Sequence, residues 1–397
     1  MQLRMGLWTL LFCVTFAALF PYPTWAAEEN SSLARQARSA ILMDADSGTV
    51  LFEKNSEEKL SPASITKIMT MLLIMEALEK GTISYDDKVR VSERAASMGG
   101  SQIFLEQGET MKLEDMMKGV AVGSGNDASV ALAEHVAGTE EAFVERMNQR
   151  AKELGMNQTR FQNPTGLSEA DHYTSARDVA VMSKELLKHP EITRFTRIYD
   201  DYLRKETKNP FWLVNTNRLV RFYEGMDGLK TGFTQDARYC LAATAKRGNL
   251  RLIAVVMGEP NPKARNREIT GMLDYAFSQY ESHIVYKQGE MIDRLPIDKG
   301  MKSELLIRSP QTFSILTKKG ENPEDFTKRI QWERLKAPVR KGQRIGEVLV
   351  EKNRQMVSKM ELISTREIPQ ADWWTLQKRT TRKLFFMPEH IKPSMEE

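Results

Sequence analysis

The sequence predicts an α+β protein in which strands bracket a run of helices, followed by a small all-β domain and an amphipathic C-terminal helix. Three observations carry this. Between residues 40 and 280, strand-like apolar runs lie at both ends of stretches whose apolar residues recur three and four apart. After about Ser282 that spacing stops, and short runs separated by Gly-containing turns replace it. Over residues 373–387 a helical stripe returns.

The elements follow in order. Arg4 supplies a positive n-region, residues 7–20 an apolar h-region too short to span a bilayer comfortably, and Thr24-Trp25-Ala26 a cleavage site after Ala26. Residues 1–26 therefore read as a signal peptide, with an uncleaved anchor as the alternative. Residues 40–44 and 49–53 flank Ala45-Asp46-Ser47-Gly48 and predict a hairpin. Ser61 as N-cap and Pro62 at the first helical position open a helix through Ile65, Ile68, Met69, Leu72, Leu73 and Met75, which Gly81 ends. Residues 113–138 are helical with a break at Gly123-Ser124-Gly125-Asn126, and residues 143–154 form the next helix. Residues 175–187 form another, with Ser175 capping and Asp178 in the first turn. Residues 239–245 and 250–257 are strands joined by Lys246-Arg247-Gly248-Asn249, and residues 266–280 return to helix.

Strands are then expected at 303–308, 312–316, 330–335, 344–351 and 356–362. In the tail, Trp373, Leu376, Thr380, Leu384 and Met387 share one stripe, widened by Trp374, Phe385 and Phe386. Such a stripe suits either packing on the β domain or, with its interleaved Lys and Arg, a membrane interface. A net charge of +4 with interspersed signs does not indicate a nucleic-acid binder. Cleavage at Ala26 would remove Cys13 and leave Cys240 alone, so no disulfide framework is expected and stability must come from core size. Cys240 reads as a packed thiol, and the five histidines show no metal-ligand spacing.

Three short elements carry chemistry: Ser64-Ile65-Thr66-Lys67, Ser124-Gly125-Asn126 and Lys230-Thr231-Gly232. In the first, a hydroxyl and an amine three residues apart share a helix face. That is the minimum equipment for an acyl-transfer nucleophile. Chance supplies roughly one or two Ser-x-x-Lys matches in a chain this long, about one Ser-x-Asn and about a tenth of a Lys-Thr-Gly. A rival, Ser56-Glu57-Glu58-Lys59, lies in a charged loop with no apolar helix behind it, whereas Ser64 opens one. The second element sits in a Gly-flanked break between helical segments, and the third immediately precedes the strand hairpin. An ordinary lysine has a pKa of about 10.4, so its neutral form costs about 4.6 kcal/mol at pH 7. Burial and a second cation, for which Lys230 is the obvious source, must offset much of that at Lys67.

The blocks Pro62-Ala63-Ser64-Ile65-Thr66-Lys67, Ser124-Gly125-Asn126-Asp127-Ala128, Asn163-Pro164-Thr165-Gly166-Leu167, His172-Tyr173-Thr174-Ser175-Ala176-Arg177-Asp178 and Asp227-Gly228-Leu229-Lys230-Thr231-Gly232 resemble those of one family. It is the D-alanyl-D-alanine carboxypeptidases, low-molecular-mass penicillin-binding proteins. The resemblance covers nearly all of the chain after the signal segment. It implies a β-lactamase/transpeptidase-like domain, an antiparallel sheet with helices, over residues 30–282. An all-β domain over 283–370 and a membrane-associating tail over 371–397 would follow.

It further implies that Ser64 attacks the carbonyl of a penultimate D-alanine to form an acyl-enzyme, with Lys67 as proton acceptor. Ser124 would relay a proton to the departing D-alanine, and Asn126 would hold a substrate amide or Lys67. Lys230, Thr231 and Gly232 would bind the substrate, Thr231 at its carboxylate. Backbone N–H groups of Ser64 and Phe233, where some relatives carry His, would form the oxyanion hole. Arg265 aligns with the family arginine that engages the terminal carboxylate, with Arg267 a close rival in register. The implied substrate is the peptidoglycan stem peptide and the implied inhibitors are β-lactams. No cofactor or metal is implied, and the site of action is the extracytoplasmic face of a bacterial cytoplasmic membrane.

Two other classes share parts of this pattern. A class A β-lactamase needs a glutamate near an Asn some tens of residues after the second motif. Residues 159–167 contain no glutamate, and a C-terminal β domain is foreign to that class. An inert peptidoglycan-binding protein would not need all three motifs. Transpeptidase or endopeptidase side activity stays open.

Overall fold

The structure, a computed structural model, describes residues 33–386; the expected signal segment and Met387 lie outside the described residues. β1 (Ser39–Asp44) and β2 (Val50–Lys54) form the expected hairpin. Its turn is closed where the Ser47 N–H donates to Asp44 Oδ2 at 2.8 Å. The next helix starts later than expected. Ser61 does not cap it; the chain enters through a 3₁₀ turn, Ala63–Thr66, with Pro62 in the cap position and no side-chain cap. Ala63 there holds a φ of 46°, the left-handed region that costs a non-glycine residue. α1 (Lys67–Glu79) then has Lys67 as its first residue. It is apolar nearly all round, with Ile68, Met69, Met71, Leu72 and Ile74 fully buried, as a helix through the middle of a core must be.

β3 (Lys88–Arg90) and β4 (Thr110–Lys112) pair around α2 (Glu93–Ala96). α3 (Leu113–Ala121) and α4 (Asn126–Ala137) are divided by the predicted break. α5 (Glu140–Glu153) and α6 (Ala176–Leu186) follow, with the Asp178 N–H donating to the Ser175 cap at 3.1 Å. α7 (Ile192–Thr196), the hairpin of β5 (Asp200–Leu203) and β6 (Phe211–Val214), and α8 (Leu219–Phe222) lead to β7 (Met226–Thr234). β8 (Arg238–Arg247) and β9 (Leu250–Glu259) make the second predicted hairpin.

These strands form one antiparallel sheet in the order β2-β1-β9-β8-β7. Its side chains alternate between two cores. Ile41, Met43, Ile253 and Val255 face the helices, while Leu42, Leu252, Ala254 and Val256 face α9 (Pro262–Gln279). α9 covers that second face with Ile269, Met272, Leu273 and Ala276, a stripe at helical spacing. It begins four residues before the expected start. Asn261 caps it, accepting from the Ala264 N–H at 2.8 Å, and Pro262 occupies its first position. The first turn, Pro-Lys-Ala-Arg, adds little to the apolar periodicity, which is why the spacing hid it.

The all-β portion contains β10 (Tyr280–Tyr286), β11 (Met291–Pro296), β12 (Glu304–Arg308), β13 (Phe313–Lys318), β14 (Phe326–Trp332), β15 (Arg344–Lys352) and β16 (Gln355–Ile363). β10 spans the expected boundary at residue 282 and pairs with β13. The spacing missed β10 and β11 and placed β14 four residues late. β11 and β14 expose charged or polar side chains and β10 exposes Ile284 between half-buried residues, so the alternation that betrays a strand is faint. β14, β15 and β16 form one sheet over a core including Ile307, Ile315, Val348 and Leu362. Ser314 Oγ ties this portion to the β1–β2 turn by donating to Asp46 Oδ2 at 2.7 Å. α10 (Trp373–Phe386) is the predicted tail helix.

Candidate active site

Lys67 is completely buried, although it is the first residue of α1. Its Nζ lies 3.0 Å from Ser64 Oγ, 2.7 Å from Asn126 Oδ1 and 2.6 Å from the Thr165 carbonyl. Two of these partners are oxygens that only accept, and the third is a hydroxyl that can also donate. A neutral amine, with two N–H groups and one lone pair, satisfies this set by donating to Asn126 and Thr165 and accepting from Ser64. Burial, and then the nearby Lys230 charge, hold the Lys67 amine well below its usual range; Asp127 opposes them.

The break between α3 and α4 carries the second motif. Asn126 Nδ2 donates to the Gly99 carbonyl at 2.7 Å, which turns its oxygen toward Lys67. Of the two roles expected for Asn126, the geometry places it on Lys67. Asp127 accepts from the N–H groups of Ile103 and Leu105 at 3.0 and 3.1 Å, folding residues 101–105 against the site. Ser124 holds a φ of 62°, is 3% exposed, and its Oγ has no hydrogen-bond partner among the described residues. A strained residue with an uncommitted buried hydroxyl is characteristic of a functional position.

The loop at 163–167 supplies a contact that side-chain motifs could not identify, the Thr165 carbonyl on Lys67. Asn163 Oδ1 shapes that loop by accepting from the Thr165 and Gly166 N–H groups at 3.1 and 2.7 Å. Thr70 Oγ1 pins it to α1 by donating to the Pro164 carbonyl at 2.7 Å. Gly166 has a φ of 83°, and a Cβ there would lie 1.8 Å from the Ala63 carbonyl oxygen. Gly166→Ala is therefore expected to cost about 3 kcal/mol or more, through overlap with backbone and a left-handed alanine. Thermal unfolding should show it as a lowered Tm together with loss of serine acylation; a variant as stable and reactive as the parent would contradict this packing.

Lys230-Thr231-Gly232 does not merely precede the hairpin. It lies on β7, an edge strand of the sheet. A Cβ at Gly232 would come within 3.0 Å of the Pro62 carbonyl oxygen and 3.2 Å of Ala63 Cβ, so glycine lets the strand approach the nucleophile turn. Lys230 is 1% exposed; burial, then the Arg265 charge, push its amine down to about 7. Thr231 Oγ1 donates to Thr216 Oγ1 at 2.7 Å. Thr216 had no motif to reveal it. Phe233 is 52% exposed, its ring centroid 4.3 Å from that of Tyr239.

The two rival arginines separate on α9. Arg265, in the first turn, is 7% exposed, within electrostatic range of Lys230, and oriented by Nε and Nη2 donating to Asn266 Oδ1 at 3.1 and 3.0 Å. Arg267 points outward and lies 3.6 Å from Glu268. Among the described residues no cluster of His, Cys, Asp or Glu could hold a metal ion. Cys240 is the packed thiol expected, its Sγ donating to the Ala237 carbonyl at 3.3 Å.

A serine hydroxyl within reach of a buried amine held well below its usual range, with a buried lysine and a buried arginine nearby, defines a serine acyl-transfer site. The model for the D-alanyl-D-alanine carboxypeptidase family matches residues 26–261, and the model described as penicillin-binding protein 5, C-terminal domain, matches residues 280–370. The chain is 53% identical over 354 residues to the D-alanyl-D-alanine carboxypeptidase DacF of Bacillus subtilis, covering 89% of this chain and 91% of that protein. Penicillin-binding protein 5 from Haemophilus influenzae superimposes with a TM-score of 0.67 at 32% identity, covering 84% of this chain and 98% of that one. Penicillin-binding protein D2 from Listeria monocytogenes, solved in an ampicillin-bound form, gives 0.56 at 29% identity, covering 62% and 99%. The chain belongs to the D-alanyl-D-alanine carboxypeptidase family, which makes it a serine-type peptidase of cell-wall metabolism.

Proposed function

We propose that the chain removes the terminal D-alanine from peptidoglycan stem pentapeptides through an acyl-enzyme on Ser64. The observation that carries this is the Lys67 amine, buried and donating to two carbonyl oxygens with its third position on Ser64 Oγ. As Oγ bonds to the carbonyl carbon of the penultimate D-alanine, its proton passes to Lys67 Nζ. The resulting oxyanion is held by the backbone N–H groups of Ser64 and Phe233. When the C–N bond breaks, a proton reaches the departing amine through Ser124, whose hydroxyl is otherwise uncommitted. Water then attacks the ester, Lys67 takes its proton, and as the bond from Ser64 Oγ to the acyl carbon breaks that proton passes to Ser64 Oγ. Lys230, Thr231 and Arg265 receive the terminal carboxylate, which an exopeptidase must recognise and an internal peptide bond lacks.

A β-lactamase reading lacks its carboxylate. The loop facing Lys67 offers the Thr165 carbonyl, and Glu169 is exposed and accepts from Asn163 Nδ2 at 3.2 Å. β-Lactams, which mimic an acyl donor with a carboxylate, should acylate Ser64 and leave it slowly. The deciding experiment incubates the protein with a stem pentapeptide. Free D-alanine matched by the shortened tetrapeptide acid supports the reading, while D-alanine matched by cross-linked peptide would make the enzyme a transpeptidase.

Action on peptidoglycan requires an extracytoplasmic location, which the signal-like residues 1–26 would provide. We further propose that residues 30–282 form the peptidase domain, 283–370 a β spacer and 371–397 a membrane-surface anchor. Asp372 caps α10 by accepting from the Thr375 N–H at 2.7 Å, and Arg379 Nη1 fastens it to the Gly300 carbonyl at 2.6 Å. Trp373 and Trp374 remain 65% and 66% exposed. No described helix is long and apolar enough to cross a membrane. The protein should sediment with anionic phospholipid vesicles, and Trp373→Ala/Trp374→Ala should weaken this about tenfold; unchanged sedimentation would remove the anchor assignment.

A further inference from the structure

His172 opens the sequence block at 172–178, yet no step of the proposed reaction uses it. It is 6% exposed. Its Nδ1 lies 3.3 Å from the Gln162 backbone nitrogen, and its Nε2 lies 2.9 Å from Thr66 Oγ1. The Phe161 ring meets it edge-on, the centroids 6.0 Å apart.

These contacts fix the proton on the ring. A backbone N–H can only donate, so Nδ1 accepts from Gln162. The proton of the neutral ring then sits on Nε2, which donates to Thr66 Oγ1. A charged imidazolium would turn a second N–H against that of Gln162. Burial acts in the same sense and pushes the ring down to about 4. The charged residues on the segments that meet the ring are Lys67 on α1, Arg160, Glu169 and Asp171. Their described contacts lie elsewhere: Lys67 is held as above, Glu169 accepts from Asn163, and Arg160 lies 3.7 Å from Asp171.

The two partners of the ring belong to the two segments that converge on Lys67. Thr66 ends the 3₁₀ turn that carries Ser64, and that turn has no side-chain cap. Gln162 leads into Asn163 and so into the loop whose Thr165 carbonyl accepts from Lys67. A Cβ at Gly166 would lie 2.9 Å from the same Thr66 hydroxyl, so ring, turn and loop meet at one oxygen.

We propose that His172 is a positioning residue whose ring braces the nucleophile turn against the 163–167 loop, so that Ser64 and the Thr165 carbonyl reach Lys67 together. The inference rests on the reading of Lys67 as the proton acceptor.

Stopped-flow acylation by a chromogenic β-lactam, resolved into a binding constant and a saturating rate constant, tests it. His172→Asn keeps an acceptor for Gln162 but is too short to reach Thr66. It should slow acylation about ten- to thirtyfold and leave the binding constant within about twofold. His172→Gln, whose amide N–H reaches as far as Nε2, should return the rate to within about threefold of the parent. Thr66→Val should slow acylation as much as His172→Asn, and the double variant no further, because both remove one contact. Where His172→Asn does not fold, Thr66→Ser against Thr66→Val makes the same comparison, and only the serine should keep the parent's rate. Nitrogen-15 NMR of the parent at about pH 5 should show one neutral, Nε2-protonated histidine, absent from His172→Gln.

A folded His172→Asn that acylates at the parent's rate overturns the proposal. So do losses that multiply in the double variant, losses confined to the binding constant, or a His172 ring already charged at that pH. If Lys67→Arg acylates as fast as the parent, the reading of Lys67 itself fails, whatever the His172 variants do.

Discussion

Ser64→Ala should abolish both D-alanine release and the stable penicillin adduct, with kcat falling by at least about 10⁴-fold. Removing a nucleophile takes away the covalent route entirely and leaves only binding and oxyanion stabilisation. The size of the loss should not reflect misfolding. Ser64 is only partly buried, lies in a 3₁₀ turn, and contributes to that turn no side-chain cap. Its hydroxyl contact in the described structure is to Lys67. Intact-mass spectrometry after exposure to a penicillin reads the result directly. A parent protein that gains the mass of the antibiotic, beside a variant that does not, meets the expectation. A variant that is still acylated, or that still releases D-alanine, would move the nucleophile elsewhere.

Lys67→Arg should be nearly as damaging, with acylation slowed about 10³-fold, although charge and approximate length are kept. Guanidinium stays protonated throughout the working range, so it cannot accept the Ser64 proton. Its planar fork also cannot reproduce three contacts converging on one nitrogen. The same logic predicts the pH dependence. Lys67 is a base only when neutral, so acylation rises with pH as its amine loses a proton. Burial and Lys230 together place that loss well below the ordinary lysine range. Lys230→Gln removes the like charge, raises the Lys67 pKa, and should shift the ascending limb of acylation toward higher pH, with weaker substrate binding as well. Stopped-flow acylation by a chromogenic β-lactam measures both. An ascending limb that stays in place in Lys230→Gln would mean burial alone sets the amine.

The parts of this site that were legible in the sequence are those whose chemistry resides in side chains at short fixed spacing. Ser64 and Lys67 are three apart at the head of an apolar run, and that run distinguishes them from Ser56 and Lys59. Ser124 and Asn126 sit in a break marked by two glycines. Lys230, Thr231 and Gly232 adjoin a clear hairpin. The contributions that were not legible come from backbone or from distant segments. The Thr165 carbonyl on Lys67 has no side-chain signal, since every residue has a carbonyl. Thr216 meets Thr231 across fifteen residues of chain, with no motif to mark it.

The fold divides in a similar way. The central sheet was legible in β1, β2, β8 and β9, where both faces are apolar or alternate cleanly, and in α1, whose residues are buried nearly all round. It was faint in β11 and β14, which expose polar side chains, and in β10, where most residues are only half-buried. The Ser61 cap was misjudged because capping is a local preference, and here the chain's path past Gly166 and Gly232 imposes a 3₁₀ entry with Ala63 left-handed.

By itself, then, the sequence determined the class of chemistry, the main hairpins and helices of the first domain and the pairing of Ser64 with Lys67, because spacing along a helix decides which groups share a face. Only the tertiary structure decided that Lys67 can be neutral, that Arg265 rather than Arg267 turns toward Lys230, and that Asn126 serves the lysine. Those are matters of burial and of distances between segments far apart in the chain, and a pKa depends on nothing else as strongly.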